Sequence, residues 1–194
     1  VLSAAKMSNA SCGGWTGGNA ILVQMGDVAD RGRDVAKANA CLRRLQRLAP
    51  EAGGRVIRLV GNHELMRAEG SLRDAHPAES SAAAVAGVMQ WKVDVKSGAV
   101  RASYSDGPYF FTHAGVRPAL LERLPTSSIG ELVSYLNDRL RDAVVACHEN
   151  PVRGRYLERA CRFKDDILTA GIDRGGRGVG GIFWTDWRIL EGSP

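Results

Sequence analysis

Three short runs of this 194-residue chain carry metal-capable side chains directly behind apolar, strand-like segments. Residues 21–25 (Ile-Leu-Val-Gln-Met) lead into Gly26-Asp27-Val28-Ala29-Asp30-Arg31-Gly32. Residues 56–60 lead into Gly61-Asn62-His63-Glu64, and residues 109–112 into His113-Ala114-Gly115. Carboxylate, amide oxygen and imidazole are donors suited to divalent ions. Asp27, a carboxylate after a glycine at a strand end, can approach an ion closely and can bridge two. Asn62 offers a neutral carbonyl oxygen. His63, one residue on, points away from Asn62 and is placed to give a proton to a leaving oxygen. His113 is followed by Ala114 and Gly115, small enough to let a metal or substrate come near the backbone. Arg31 carries a planar, permanently charged fork that matches phosphate oxygens. Asp30 can pair with Arg31 or orient a histidine, and the order of residues leaves both open.

The elements that would position these groups can be read from periodicity. The continuous apolar run from Ala20 to Met25 predicts a strand buried on both faces. Apolar residues at Val35, Ala38, Cys41, Leu42, Leu45 and Leu48 predict a helix, with Asp34 as N-cap and Pro50, Gly53 and Gly54 ending it. Arg43, Arg44 and Arg47 read as a solvated face of that helix. A second strand follows from Arg55 to Val60. Strand, helix and strand in this order predict a parallel pair with a right-handed crossover. Both motif loops then open at the carboxyl ends of the strands, where open α/β sheets collect ligands.

Elsewhere, Val1–Gly18 reads as a helix remnant followed by a glycine-rich turn. Leu65–Met89 predicts helix in pieces, interrupted at Pro77, with Ala82–Val88 as one piece. The turn residues Lys96-Ser97-Gly98 predict a hairpin over Val93–Tyr104, and Tyr109–Thr112 a third core strand. Ser128 and Glu131 suit a capping box opening a long amphipathic helix over Ile129–Cys147. A shorter helix is expected over Arg153–Arg162, a flexible lid or surface loop over Asp173–Gly181, and an apolar run over Ile182–Trp187.

Composition sets the outer limits. Hydrophobic residues make up 44% and charged residues 24%, ordinary for one globular α/β domain over residues 1–194. No run approaches the roughly 18 apolar residues of a membrane span, and Val1–Lys6 lacks the basic start and apolar stretch of a signal peptide. The chain begins with Val rather than Met, so further residues are expected upstream. A net charge of +5 favours anionic ligands without the concentrated basic surface of a nucleic-acid binder. Cys12, Cys41, Cys147 and Cys161 have no C-x-x-C spacing, which argues against a zinc ribbon and predicts free thiols in a reducing compartment. His76 and His148 lack any comparable setting and are expected to be structural or exposed.

Taken together, G-D-x-x-D-R-G, then G-N-H-E, then H-A-G resembles the signature order of the PPP-type metallophosphoesterases. Gly61-Asn62-His63-Glu64-Leu65-Met66, Gly70-Ser71-Leu72-Arg73, Trp15-Thr16-Gly17-Gly18 and Phe183-Trp184-Thr185 resemble the Shewanella-like branch of protein phosphatases within them. The resemblance implies an α/β metallophosphoesterase fold, a β-sandwich flanked by helices. It implies a site with two divalent or trivalent ions (Mn, Fe or Zn), bridged by Asp27, with Asn62 and His113 on the second ion. His63 would protonate the leaving group, Asp30 would orient it, and Arg31 with Asn62 would hold the phosphate. A metal-bound hydroxide would attack phosphorus in line, without a phosphoenzyme. The substrate would be a phosphoprotein of serine/threonine type. The alternatives are a dinucleotide polyphosphate or other small phosphoester, or an inactive piece that only binds phosphate. The family's earlier G-D-x-H-G and later G-H motifs do not occur in these 194 residues, so the resemblance reads the chain as part of a longer phosphatase. Arg67 stands where relatives carry Asn. Cytoplasm and chloroplast are both open as compartments.

Overall fold

Strands β1 (Ile21–Gln24) and β2 (Arg55–Leu59) lie side by side and parallel in the computed structural model, in the register Ile21↔Arg55 to Gln24↔Arg58. The structure describes residues 2–147, 161–163, 165–170 and 180–185. Helix α1 (Val35–Leu48) makes the crossover and buries Leu42 and Leu45. Its N-cap residue Asp34 makes no capping hydrogen bond; its carboxylate pairs with Lys37 instead. The helix passes into a single 3₁₀ turn (Ala49–Ala52), and Gly53 then takes the left-handed conformation that ends it. The expected parallel unit is present. The expected burial of β1 is not: all four of its residues are half-buried, because β1 lies at one end of the sheet order β1-β2-β3.

Helix α2 (Asn62–Ala68) starts immediately behind β2, and α3 (Ser81–Lys96) follows after a break that contains Pro77. The serine before α3, Ser80, accepts from Ala83 N–H as its cap. The hairpin predicted around Lys96-Ser97-Gly98 is absent. Residues 93–96 are instead the last turn of α3, and strand β3 (Val100–Arg101) adds parallel to β2. Local turn chemistry is outweighed by the helix, whose Val88, Trp91 and Val95 enter the main core. The hairpin occurs one step later, between β4 (Ser103–Asp106) and β5 (Tyr109–Thr112). Thus Tyr109–Thr112 pairs with β4 in a second, two-stranded sheet rather than joining the parallel one.

Asn137 makes that change of sheet possible. It lies on α5 (Ile129–Val145), a helix capped at Ser128. Its amide oxygen accepts from Ala102 and Ser103 N–H at 2.9 and 3.0 Å, and its amide nitrogen donates to Ser103 carbonyl at 3.2 Å. These backbone groups sit where β3 ends and β4 begins, so a side chain satisfies what the ladder leaves. Leu136, Leu140 and Val144 of α5 pack with Leu65, Val95, Ile182 and Phe183 in the principal core. The short helix α4 (Pro118–Leu121) adds Leu120 to it. The N-terminal residues form turns where a helix remnant was expected. The helix expected over Arg153–Arg162 lies outside the described residues as far as Ala160. Most of Asp173–Gly181, together with His148, lies outside them as well.

All four cysteines are paired, Cys12 with Cys41 and Cys147 with Cys161, at Cα separations of 5.7 and 5.0 Å. This corrects the expectation of free thiols and removes its support for a reducing compartment. Spacing along the chain carries no signal of which cysteines the fold brings within bonding distance. The second bond ties the end of α5 to the segment at Phe163. A buried ion pair, Arg58 to Asp94 at 2.7 Å, joins β2 to α3, and Gln90 donates to the second carboxylate oxygen at 2.8 Å.

Two outcomes are expected. Alkylation of the denatured chain before reduction should label no cysteine, and reduction should lower stability by about 3 kcal/mol per bond for loops of this length. A labelled thiol in native preparations would contradict the pairing. In urea titrations, Asp94→Leu should cost about 3–5 kcal/mol by stranding Arg58, while Arg58→Met added to it should recover most of the loss.

Candidate active site

The loop after β1 and the start of α2 press together backbone to backbone. Gly26 has φ +94°, and a Cβ there would overlap the backbone of Gly61. A Cβ on Gly61 would in turn overlap Asp27. Only glycine at both positions allows the approach. Asp27, Asp30 and Arg31 also take left-handed φ values of 58°, 69° and 56°, conformations that cost roughly 1–3 kcal/mol each and persist where surrounding contacts dictate them.

Glu64 supplies much of that dictation. Its carboxylate accepts from Asp27 N–H at 2.9 Å, Ala29 N–H at 2.8 Å and Gly61 N–H at 2.8 Å. One side chain thus clamps both loops and caps α2. Its position three residues after the helix N-cap is a signal that the sequence carries, although the motif reading gives Glu64 no role. Asp27 Oδ1 returns the connection by accepting from His63 N–H at 3.1 Å.

His113 arrives from the second sheet. Its Nδ1 donates to Met25 carbonyl at 2.7 Å, which directs Nε2 toward Asn62 Oδ1 at 2.9 Å and Asp27 Oδ2 at 3.5 Å. Oxygens of Asn62 and Asp27 thus face the one imidazole nitrogen, and a proton or a cation there would satisfy both. The donor set, one carboxylate, one amide oxygen and one imidazole, suits a divalent ion. Among the described residues no group of three or more His, Cys, Asp or Glu side chains is gathered for a metal; this trio includes an amide.

Beside the trio runs a second chain of contacts. His63 Nδ1 donates to Asp30 Oδ2 at 2.8 Å. Of the two partners the sequence left open for Asp30, the structure thus pairs it with a histidine. The opposite Asp30 oxygen accepts from Arg67 Nε, and the other two guanidinium nitrogens fork onto Glu79 at 2.7 and 2.5 Å. Burial works against the charge on Arg67, but Glu79 and Asp30 outweigh it and hold its pKa above the ordinary guanidinium value. His63 Nε2 has no hydrogen-bond partner among the described residues. Arg31 is exposed, makes no ion pair among them, and is held through its N–H by Asp74 carbonyl at 2.8 Å.

Asp27, Asn62, His63, Asp30 and His113 are therefore brought together, and Arg31 stands in the same loop without a contact to them. His76 is spent on a local turn, accepting from Ala78 N–H at 3.1 Å. Glu64, Arg67 and Glu79 are the members that the sequence reading missed. They also line a cleft of about 350 Å³ between α1 and α3, floored by Arg58 and Asp94.

Comparisons with known proteins bear on the family and the fold. A family model described as calcineurin-like phosphoesterase matches residues 11–170. An uncharacterised protein of Schizosaccharomyces pombe is 36% identical over 138 residues, 64% of this chain and 42% of that protein. Shewanella-like protein phosphatase 2 of Arabidopsis thaliana is 48% identical over 59 residues, 30% of this chain and 15% of its own length. In fold the chain is similar to a cold-active protein tyrosine phosphatase, with a TM-score of 0.57 and 23% identity over 72% of this chain and 42% of that one. A cold-active protein-tyrosine phosphatase of a psychrophilic Shewanella species gives a TM-score of 0.55 at 21% identity, covering 72% and 43%. The chain spans less than half the length of each of these proteins. A family model that covers most of the sequence, over a matching α/β fold, makes this chain a member of the calcineurin-like phosphoesterase family.

Proposed function

We propose that this chain carries the hydrolytic site of a metal-dependent phosphoprotein phosphatase of serine/threonine type. One observation carries the reading: oxygens of Asn62 and Asp27 lie 2.9 and 3.5 Å from His113 Nε2, beside a histidine whose outer nitrogen has no partner among the described residues. Asp27, Asn62 and His113 are the residues that would hold a divalent ion, with Asp27 the one able to serve two. Such ions, when bound, supply the positive charge that activates water and offsets charge on the phosphoryl oxygens.

The protein's own groups do the rest. Asn62 and the exposed Arg31 bind phosphate oxygens, Arg31 through its unengaged fork. His63 keeps Nδ1 on Asp30, so Nε2 is the atom that delivers a proton to the departing oxygen. Asp30 does not touch substrate; it fixes the tautomer and the ring plane. Glu64 and the two glycines hold Asp27 and His63 within one hydrogen bond of each other. The substrate is a phosphorylated protein side chain. Among the described residues no helix is long and apolar enough to cross a membrane.

Metal binding and turnover test separate parts of this reading. Titrated with Mn²⁺ by calorimetry, Asp27→Asn should lose more affinity than Asn62→Ala, since only Asp27 can contact two ions; equal losses would argue against bridging. With Mn²⁺ present, His63→Ala should slow hydrolysis of phosphoserine peptides by about 10²–10⁴-fold, the range of a general acid. It should affect 2,4-dinitrophenyl phosphate far less, because that leaving group departs unprotonated. Preference for a dinucleotide polyphosphate over phosphopeptides in the same assay would reassign the substrate.

A further inference from the structure

The guanidinium of Arg67 sits between two carboxylates, each on a different segment of chain. Its Nε faces Asp30 in the loop after β1, and its Nη1 and Nη2 face Glu79 ahead of α3. The Arg67 side chain is 5% exposed, that of Asp30 1% and that of Glu79 11%. Asp30 is anchored twice, by His63 on one oxygen and Arg67 on the other. A carboxylate this deeply enclosed is costly without compensating charge, and Asp30 also sits at a strained φ of 69°. Arg67 meets both demands, and its bidentate pairing with Glu79 fixes the guanidinium plane, which a lysine could not reproduce.

We propose that Arg67 and Glu79 are positioning residues for His63: a clamp that sets the place of Asp30 and, through it, the imidazole. Neither touches substrate. Glu79, Arg67, Asp30 and His63 form one row of hydrogen bonds from the α1–α3 cleft to the imidazole, so displacement at one end is felt at the other. Glu64 contributes a separate anchor and does not contact this row. The inference rests on His63 serving as the proton donor of the proposed reaction.

The test reads the imidazole itself, in the full 194-residue chain without metal. With ¹⁵N-labelled histidine, the Nδ1 proton of His63 should appear downfield and exchange slowly with water, assigned by its loss in His63→Gln. Arg67→Met combined with Glu79→Gln removes the clamp and leaves Asp30 with His63 as its one remaining side-chain partner among the described residues. Glu79→Gln alone keeps Arg67 but loosens its plane, and serves if the double variant does not fold. Each should speed exchange of that proton by about tenfold or more while the amide spectrum of β2 and α5 is unchanged. An unchanged exchange rate in a folded variant overturns the inference. Faster exchange together with unchanged selectivity between alkyl and dinitrophenyl phosphates supports the clamp and removes His63 as the acid. Faster exchange together with loss confined to the alkyl phosphate supports both.

Discussion

Two strand-end loops touch with nothing but glycine between their backbones, and the whole site depends on that contact. Gly26 and Gly61 let Asp27 come within hydrogen-bond reach of His63 N–H. Larger residues would push apart the Asp27 carboxylate and the His63 backbone that this contact joins. Glu64 supplies three acceptor contacts that hold the loops at that distance. The strain of three left-handed non-glycine residues is offset by these bonds and by the buried contacts of Asp30. A flexible loop would reach the same geometry only at the entropic cost of ordering it at each turnover.

Electrostatics then divides the site in two. On one side, oxygens of Asp27 and Asn62 face His113 Nε2, a donor set suited to a cation. On the other, acid and base alternate along a buried row, so every charge has a neighbour. The two halves share a single helix: Asn62 and His63 are successive residues at the start of α2, and project to different sides. One strand end therefore feeds both groups of contacts, Asn62 to His113 and His63 to Asp30. Helix α2 in turn is seated by Leu65 and Ala68 in the principal core, which links site geometry to the packing of α3 and α5.

His113 follows β5 of the separate β4–β5 hairpin. The parallel strands contribute two loops, and the third donor must approach from across the crevice. Asn137 on α5 allows this by satisfying the backbone at the change of sheet. The disulfides lie away from the convergent groups, at the N-terminal loop and at the end of α5. They fasten peripheral segments without entering the chemistry.

Residue types and local order made much of this legible. Metal-capable side chains near glycines behind apolar runs named Asp27, Asp30, Asn62, His63 and His113, because donor chemistry and strand-end placement are properties of a few adjacent residues. The parallel βαβ unit was readable for the same reason: period and spacing are local. What joins distant positions was not readable. His113 meets Asn62 across 51 residues and Met25 across 88, and nothing in either motif encodes those distances. The Arg67 fork reaches Glu79 12 residues on and Asp30 37 residues back, so in sequence it showed only as an unusual residue. The cysteine pairs, and the shift of the hairpin from Lys96–Gly98 to β4–β5, were likewise decided by packing. A turn signal contributes a fraction of what burying Trp91 and Val95 does. Short-range chemistry is written in the order of the chain; which charges end up as neighbours is settled only when the core closes around them.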